Sequence, residues 1–134
     1  MLGGGQNTVT GSSGWIVGGQ KTLISGARAG ALGSWNSTNS GSDSTIGGQS
    51  INNSGGGSFV YGQNLTNTGG WVIQVGFQNS NTGHYSYQWG RDNSGTKDYS
   101  ETGGRYAVGR NAGARSYANG RINSSGDTQV TFIP

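Results

Sequence analysis

The sequence predicts an all-β fold in which coils of about 14 residues stack into a repetitive β-roll or β-solenoid. Glycines occupy four equally spaced pivot positions: Gly48, Gly62, Gly76 and Gly90. The residues before each pivot alternate with the period of a β-strand. The stretches between these segments are rich in Gly and Asn, which tolerate the positive φ of tight corners. No segment longer than a turn has a helical apolar period, so we expect essentially no helix.

The predicted strands end at the pivots, and their outward and inward side chains are read from the alternation. Strand-favouring types occupy one side of each segment. These are Phe59 and Tyr61, then Ile73 and Val75, then Tyr87 and Trp89. Val60, Gln74 and Gln88 point to the opposite side.

After Gly90 the spacing read from the sequence becomes irregular. The next pivots are Gly109 and Gly120, so the interval first lengthens and then shortens. This irregularity predicts a longer loop inserted at 92–104. The expected organisation is therefore an N-terminal arm at 1–14 that docks onto a larger structure, Gly-rich repeats at 15–126 and a C-terminal edge strand at 127–134.

The composition favours an oligomer. Gly, Ser, Asn and Thr supply 72 of the 134 residues, and only 29% are hydrophobic, against about 45–50% in an average domain. Ordering the chain costs about 1–2 kcal/mol per residue, and each thin coil encloses little apolar material. We therefore expect an intertwined or side-by-side homotrimer, although the sequence does not itself give the number of chains. Its core is expected to contain Phe59, Tyr61, Ile73, Val75, Tyr87 and Trp89.

Several function classes are disfavoured. The chain has no cysteine, which removes disulfides and thiolate chemistry. No apolar run approaches the ~18 residues of a membrane span, so we expect no membrane insertion. The net charge is +3 without a basic cluster, which makes nucleic acid a poor partner.

Catalytic and metal-binding residues are sparse. His84 is the single histidine and is expected at a coil corner on the surface. Asp92, Asp98 and Glu101 form the one acidic cluster in the predicted insertion. Oxygen ligands between Asp92 and Asp98 suit calcium, but the sequence does not decide between a calcium loop and a simple Asx turn. We expect no enzyme activity, no metal and no cofactor.

Three aromatic residues that we expect at the surface are candidates for contact with a glycan or receptor: Trp35, Trp71 and Tyr85. Flat rings of this kind pack on apolar faces while a polar edge stays in water. The arginines at 105, 110, 115 and 121 are expected to cap the final turns or bond to carbonyls between chains rather than to bind an acidic polysaccharide. An ice-binding solenoid would need a regular Thr array, and no such alignment is evident from the repeats.

The repeat resembles two related groups of proteins. The unit from Ser44 to Gly55, Ser-Thr-Ile-Gly-Gly-Gln-Ser-Ile-Asn-Asn-Ser-Gly, resembles the head repeats of trimeric autotransporter adhesins. Those repeats form left-handed β-rolls that trimerise. The stretch 104–127 is more similar to repeats of phage tail fibres, which commonly end in Gly-Asp-x-Gln. Here that ending is Gly126-Asp-Thr-Gln129.

The resemblance implies a protein of the virion. An adhesin would need a signal peptide, a stalk and a membrane anchor, none of which is recognisable here. The expected function is a non-enzymatic structural protein of a phage particle: a trimeric fibre, spike or capsid decoration that contacts other virion proteins and aids adhesion to the host surface. The alternative is a carbohydrate-binding receptor-recognition module that binds a host glycan.

Overall fold

A computed structural model describes residues 3–133, and no helix occurs among them. Met1 and Leu2 of the predicted arm and Pro134 of the predicted edge strand lie outside the described residues. The strands are β1 (Thr8–Val9), β2 (Trp15–Val17), β3 (Gln20–Ile24), β4 (Gly30–Asn39), β5 (Thr45–Asn53), β6 (Phe59–Asn67), β7 (Ile73–Phe77), β8 (Ser80–Asn81), β9 (Tyr87–Arg91), β10 (Ser94–Gly95), β11 (Glu101–Arg105), β12 (Val108–Gly109), β13 (Arg115–Asn119) and β14 (Gln129–Phe132).

These strands wind into a β-solenoid of about eight turns with a 14-residue spacing, which confirms the predicted fold class. Except at the antiparallel β14, strands pair in parallel with their equivalents in the next turn. Phe59 pairs with Ile73, Ile73 with Tyr87, and Gly62 with Gly76. A Cβ on Gly62 would overlap the carbonyl oxygen of Gly76. The pivot positions are therefore glycine because adjacent coils approach there more closely than a side chain allows.

The predicted insertion at 92–104 is wrong. Ser94 pairs with both Ser80 and Val108, and Glu101 pairs with both Tyr87 and Arg115. All four pairs have the same offset as the coils before Gly90, so this segment is an ordinary coil. Gly104 continues the pivot column from Gly90. The prediction took Gly109 and Gly120 as the next pivots, whereas the column continues from Gly104 to Ala118, which is not a glycine.

The N-terminal coils are one residue longer. Thr8 pairs with Leu23 and Gly30 with Thr45, one position beyond the usual offset. The register changes to the shorter offset at a bulge between Leu32 and Trp35. β1 lies within the segment predicted as an arm, so that segment already belongs in part to the first coil.

The interior changes character along the solenoid. One inward column begins with Ile16, Ala31, Ile46 and Val60, all fully buried. It continues with Gln74 and Gln88, also fully buried, whose side chains are joined by a 2.7 Å hydrogen bond. This column is therefore apolar in the first coils and polar beyond them.

A second inward column is a ladder of asparagines. Asn39, Asn53, Asn67 and Asn81 are completely buried. Each of the last three donates its amide N–H to the side-chain oxygen of the preceding asparagine, at 2.8, 2.8 and 3.1 Å. Because each amide is both donor and acceptor, identical residues satisfy one another from coil to coil.

Outside this ladder, one column contains several hydroxyl side chains but no regular threonine array. The outward positions beside the asparagines pair in one column: Thr8, Leu23, Thr38, Asn52, Thr66, Ser80, Ser94 and Val108. Leu23 and Asn52 interrupt the column and Val108 ends it, so the column is mixed rather than a continuous threonine array.

Candidate functional site

The first of three surface features is an apolar sheet face, here called the first face. It consists of the outward side chains of the strand segments before the pivot column. Its large apolar members are Trp15, Val17, Leu32, Phe59, Tyr61, Ile73, Val75, Tyr87, Trp89 and Tyr117. None of the pre-pivot segments from Trp15–Val17 to 87–89 contains a charged residue.

All six residues predicted for the trimer core lie on this first face. Phe59, Tyr61, Ile73 and Tyr87 are 42–50% exposed in the single chain, and Val75 and Trp89 are partly exposed. The rings of Phe59 and Tyr61 are parallel within 4°, with centroids 6.3 Å apart. The single chain therefore leaves an ordered apolar surface in contact with water.

Large rings on the first face lie over glycines of the neighbouring coil. A Cβ on Gly47 would come within 2.6 Å of the Tyr61 ring. Trp89 similarly covers Gly103, which lets it approach Tyr117 to 5.8 Å between ring centroids. Here the face forms a groove of about 440 Å³. Arg115 and Glu101, whose side chains form an ion pair at 3.2 Å, are the first charged residues along the first face.

The second feature is the aromatic corner, formed by Trp71, Tyr85 and Tyr99. Their exposed fractions are 64%, 55% and 66%. The three residues occupy equivalent positions in successive coils, and the rings of Tyr85 and Tyr99 stack with centroids 5.2 Å apart. The structure thus brings two predicted contact residues, Trp71 and Tyr85, to one corner. Tyr99 was missed, although extending the coil period beyond Tyr85 leads directly to it.

Trp35, the third predicted contact residue, lies elsewhere. It is 48% exposed and pairs with Gln20 and Gln49 in the column after the pivots. Trp35 therefore does not share a site with Trp71 and Tyr85.

His84 and Asp98 lie beside the aromatic corner. The His84 Nδ1 atom accepts a 2.7 Å hydrogen bond from the backbone N–H of Gly70, and the backbone N–H of His84 donates to the Asp98 Oδ1 atom at 2.8 Å. The Asp92 carboxylate instead accepts a 3.1 Å hydrogen bond from the Arg91 guanidinium. Within residues 3–133, no group of three His, Cys, Asp or Glu side chains is placed to hold a metal ion.

An ion pair completes the surroundings of the corner. Arg28 Nε and Nη2 donate to the two carboxylate oxygens of Asp43 at 2.6 and 2.7 Å. This bidentate hydrogen bonding lowers the pKa of Asp43 and raises that of Arg28. The carboxylate is thereby held ionised and oriented.

The third feature is a C-terminal cap built from the Gly-Asp-Thr-Gln segment. The Asp127 carboxylate accepts hydrogen bonds from the backbone N–H groups of Ser124, Asn123 and Ile122 at 2.6–3.2 Å. These bonds, led by that from Ser124, lower the pKa of Asp127. The Gln129 side chain bonds to both the N–H and the carbonyl of Val108, at 2.6 and 2.9 Å.

β14 follows this turn and pairs antiparallel with β13, at the end of the sheet. The guanidinium groups of Arg105 and Arg121 lie 5.0 and 4.3 Å from the ring centroid of Tyr106. These two arginines thus pack on an aromatic ring near the last coils, in a cation–π arrangement.

Comparisons with known proteins add no relative. No known family model matches the chain, and no curated protein sequence matches it. In residues 3–133 there is also no helix with the length and apolarity needed to cross a membrane.

Proposed function

We propose that this chain is a non-enzymatic structural protein of a phage particle that assembles as a homotrimeric β-solenoid. The observation that carries the proposal is the first face. Strands such as β6 bury Val60 completely on one side and expose Phe59 and Tyr61 by 43% and 50% on the other. A long apolar surface of this kind usually marks an interface.

The first face favours a second copy of the chain as its partner. Its segments from Trp15–Val17 to 87–89 are uncharged and regularly spaced, so identical copies can pack with the same side chains at every level. Three chains around a shared axis would cover all three first faces. The resemblance of 104–129 to tail-fibre repeats supports placement on a virion as a fibre, spike or capsid decoration.

The oligomer is tested by light scattering of the purified chain. We expect a mass three times the 13.7 kDa of one chain. Ile73→Asp places a charge on the first face and is expected to give monomers, because burying an unpaired charge is unfavourable. The matched control is Thr66→Asp, at an exposed strand position on the hydroxyl column, which should keep the trimer. A folded monomeric wild type would refute the oligomer.

The placement on a particle needs a separate measurement. Mass spectrometry of purified phage particles and a particle reconstruction should locate the chain on the tail or capsid. Particles that lack the chain would contradict the virion role, even where the trimer forms.

A further inference from the structure

The aromatic corner contains large side chains that the fold does not need. The backbone is left-handed there, with φ of 58° at Trp71, 51° at Tyr85 and 54° at Tyr99. The equivalent positions in other coils are left-handed too, at Arg28, Asp43, Gly57 and Gly113, with φ of 52°, 55°, 65° and 72°. This conformation is unfavourable for residues with bulky side chains, and these three rings remain largely in water. Because the same corner conformation occurs with Arg28, Asp43 or glycine at this position, the fold itself does not require aromatic residues there.

Trp71 forms a flat platform on this corner. A Cβ on Gly57 would lie 2.8 Å from the Trp71 Cδ2 atom, so the indole rests directly on the backbone of the neighbouring coil. One face of the ring is supported by Gly57, and the 64% exposure of the side chain leaves the other face open. The platform belongs to an open groove of about 460 Å³ that Asp43, His84 and Tyr85 also line.

Oriented polar groups surround the platform. Arg28 fixes the Asp43 carboxylate through two hydrogen bonds. Because the His84 Nδ1 atom accepts the Gly70 N–H, the neutral ring carries its hydrogen on Nε2, where it can be donated outward. The groove therefore offers an acceptor and a donor beside an apolar surface.

We propose that this groove binds a neutral saccharide, with one pyranose ring stacked on Trp71 and its hydroxyl groups bonded to Asp43 and His84. The C–H face of a pyranose is apolar and packs against the electron-rich face of an aromatic ring. Its hydroxyls lie around the edge, where they meet the polar groups. Adjacent coils are about 4.8 Å apart, so a saccharide chain lying along the solenoid axis contacts the coils of both Trp71 and Tyr85.

The charges around the corner favour a saccharide over a nucleic acid, whose bases also stack on aromatic rings. Asp43 and Asp98 are both acidic and repel phosphates. The Arg28 guanidinium is already paired with Asp43. This inference goes beyond the structural role, because the aromatic corner and the first face consist of different residues.

Calorimetric titration of the full chain with cellohexaose, chitohexaose and maltohexaose tests the proposal. We expect saturable binding of at least one of these probes. Trp71→Gly should weaken it at least tenfold, and this variant should fold because glycine already occupies the same position in two other coils. The control is Trp35→Ala, which removes an exposed indole outside the groove and should leave affinity within twofold.

Circular dichroism and the light-scattering mass should be the same for both variants and the wild type. The proposal is overturned if the wild type binds none of the three probes, or if Trp35→Ala weakens binding as much as Trp71→Gly. It is also overturned if single-stranded DNA binds through Trp71 in place of the saccharides.

Discussion

Asn53→Ala tests whether the buried asparagine ladder holds the coils together. The Asn53 amide donates to Asn39 Oδ1 at 2.8 Å and to the Gly55 carbonyl at 3.2 Å, and its oxygen accepts from Asn67 at 2.8 Å. A typical intramolecular hydrogen bond contributes about 1 kcal/mol net. Losing three of them should lower the free energy of unfolding by about 3 kcal/mol.

Asn52→Ala is the matched control because Asn52 is the adjacent residue in β5 and is exposed. Its substitution should change the free energy of unfolding by no more than about 0.5 kcal/mol. The measurement is equilibrium urea unfolding followed by tryptophan fluorescence, with all variants at one protein concentration because association contributes to apparent stability. Equal effects of the two substitutions would refute the ladder as a source of stability.

Two further substitution tests and one titration probe other parts of the solenoid. Gly62→Ala should destabilise much more than its control Gly33→Ala, because a Cβ on Gly62 overlaps the next coil whereas Gly33 has open space. Gly33→Ala carries only the left-handed backbone cost of about 1–2 kcal/mol, and similar urea midpoints for the two variants would contradict this. Thr102→Val should stabilise by about 1 kcal/mol, because the Thr102 hydroxyl is buried without a partner among the described residues; a lowered midpoint would count against it. Asp127 has a folded pKa below its ordinary value near 3.8, so the cap should persist above that pH and loosen as pH falls through the lowered pKa. The amide resonance of Ser124 should report this transition, and a midpoint at or above 3.8 would exclude it.

The fold was predictable from the sequence because the pivots repeat over four coils. Close approach of backbones requires glycine there, and the paired strands keep the same offset as the pivots. The prediction of an insertion downstream of Gly90 was wrong. The pivot column passes through Gly104 to Ala118, and an alanine in the last coil cannot be recognised as a pivot among the many glycines nearby.

The surfaces were only partly predictable. Alternation identified the first-face residues, since strand geometry fixes which side chains share a side. It could not show which exposed aromatics meet, because that depends on the corner geometry that joins Trp71 to Tyr85 and separates both from Trp35. The role of Asp127 could not be predicted from the sequence either, because its hydrogen-bond donors are backbone N–H groups that only the folded turn brings together.

The reversed direction of β14 has a consequence for self-association. Parallel coils present the same hydrogen-bonding edge at every level, and such an edge can recruit further molecules end to end into fibrils. Antiparallel pairing of β14 with β13 replaces that edge with one of different register and polarity. Uncontrolled elongation through the C-terminal end is thereby discouraged.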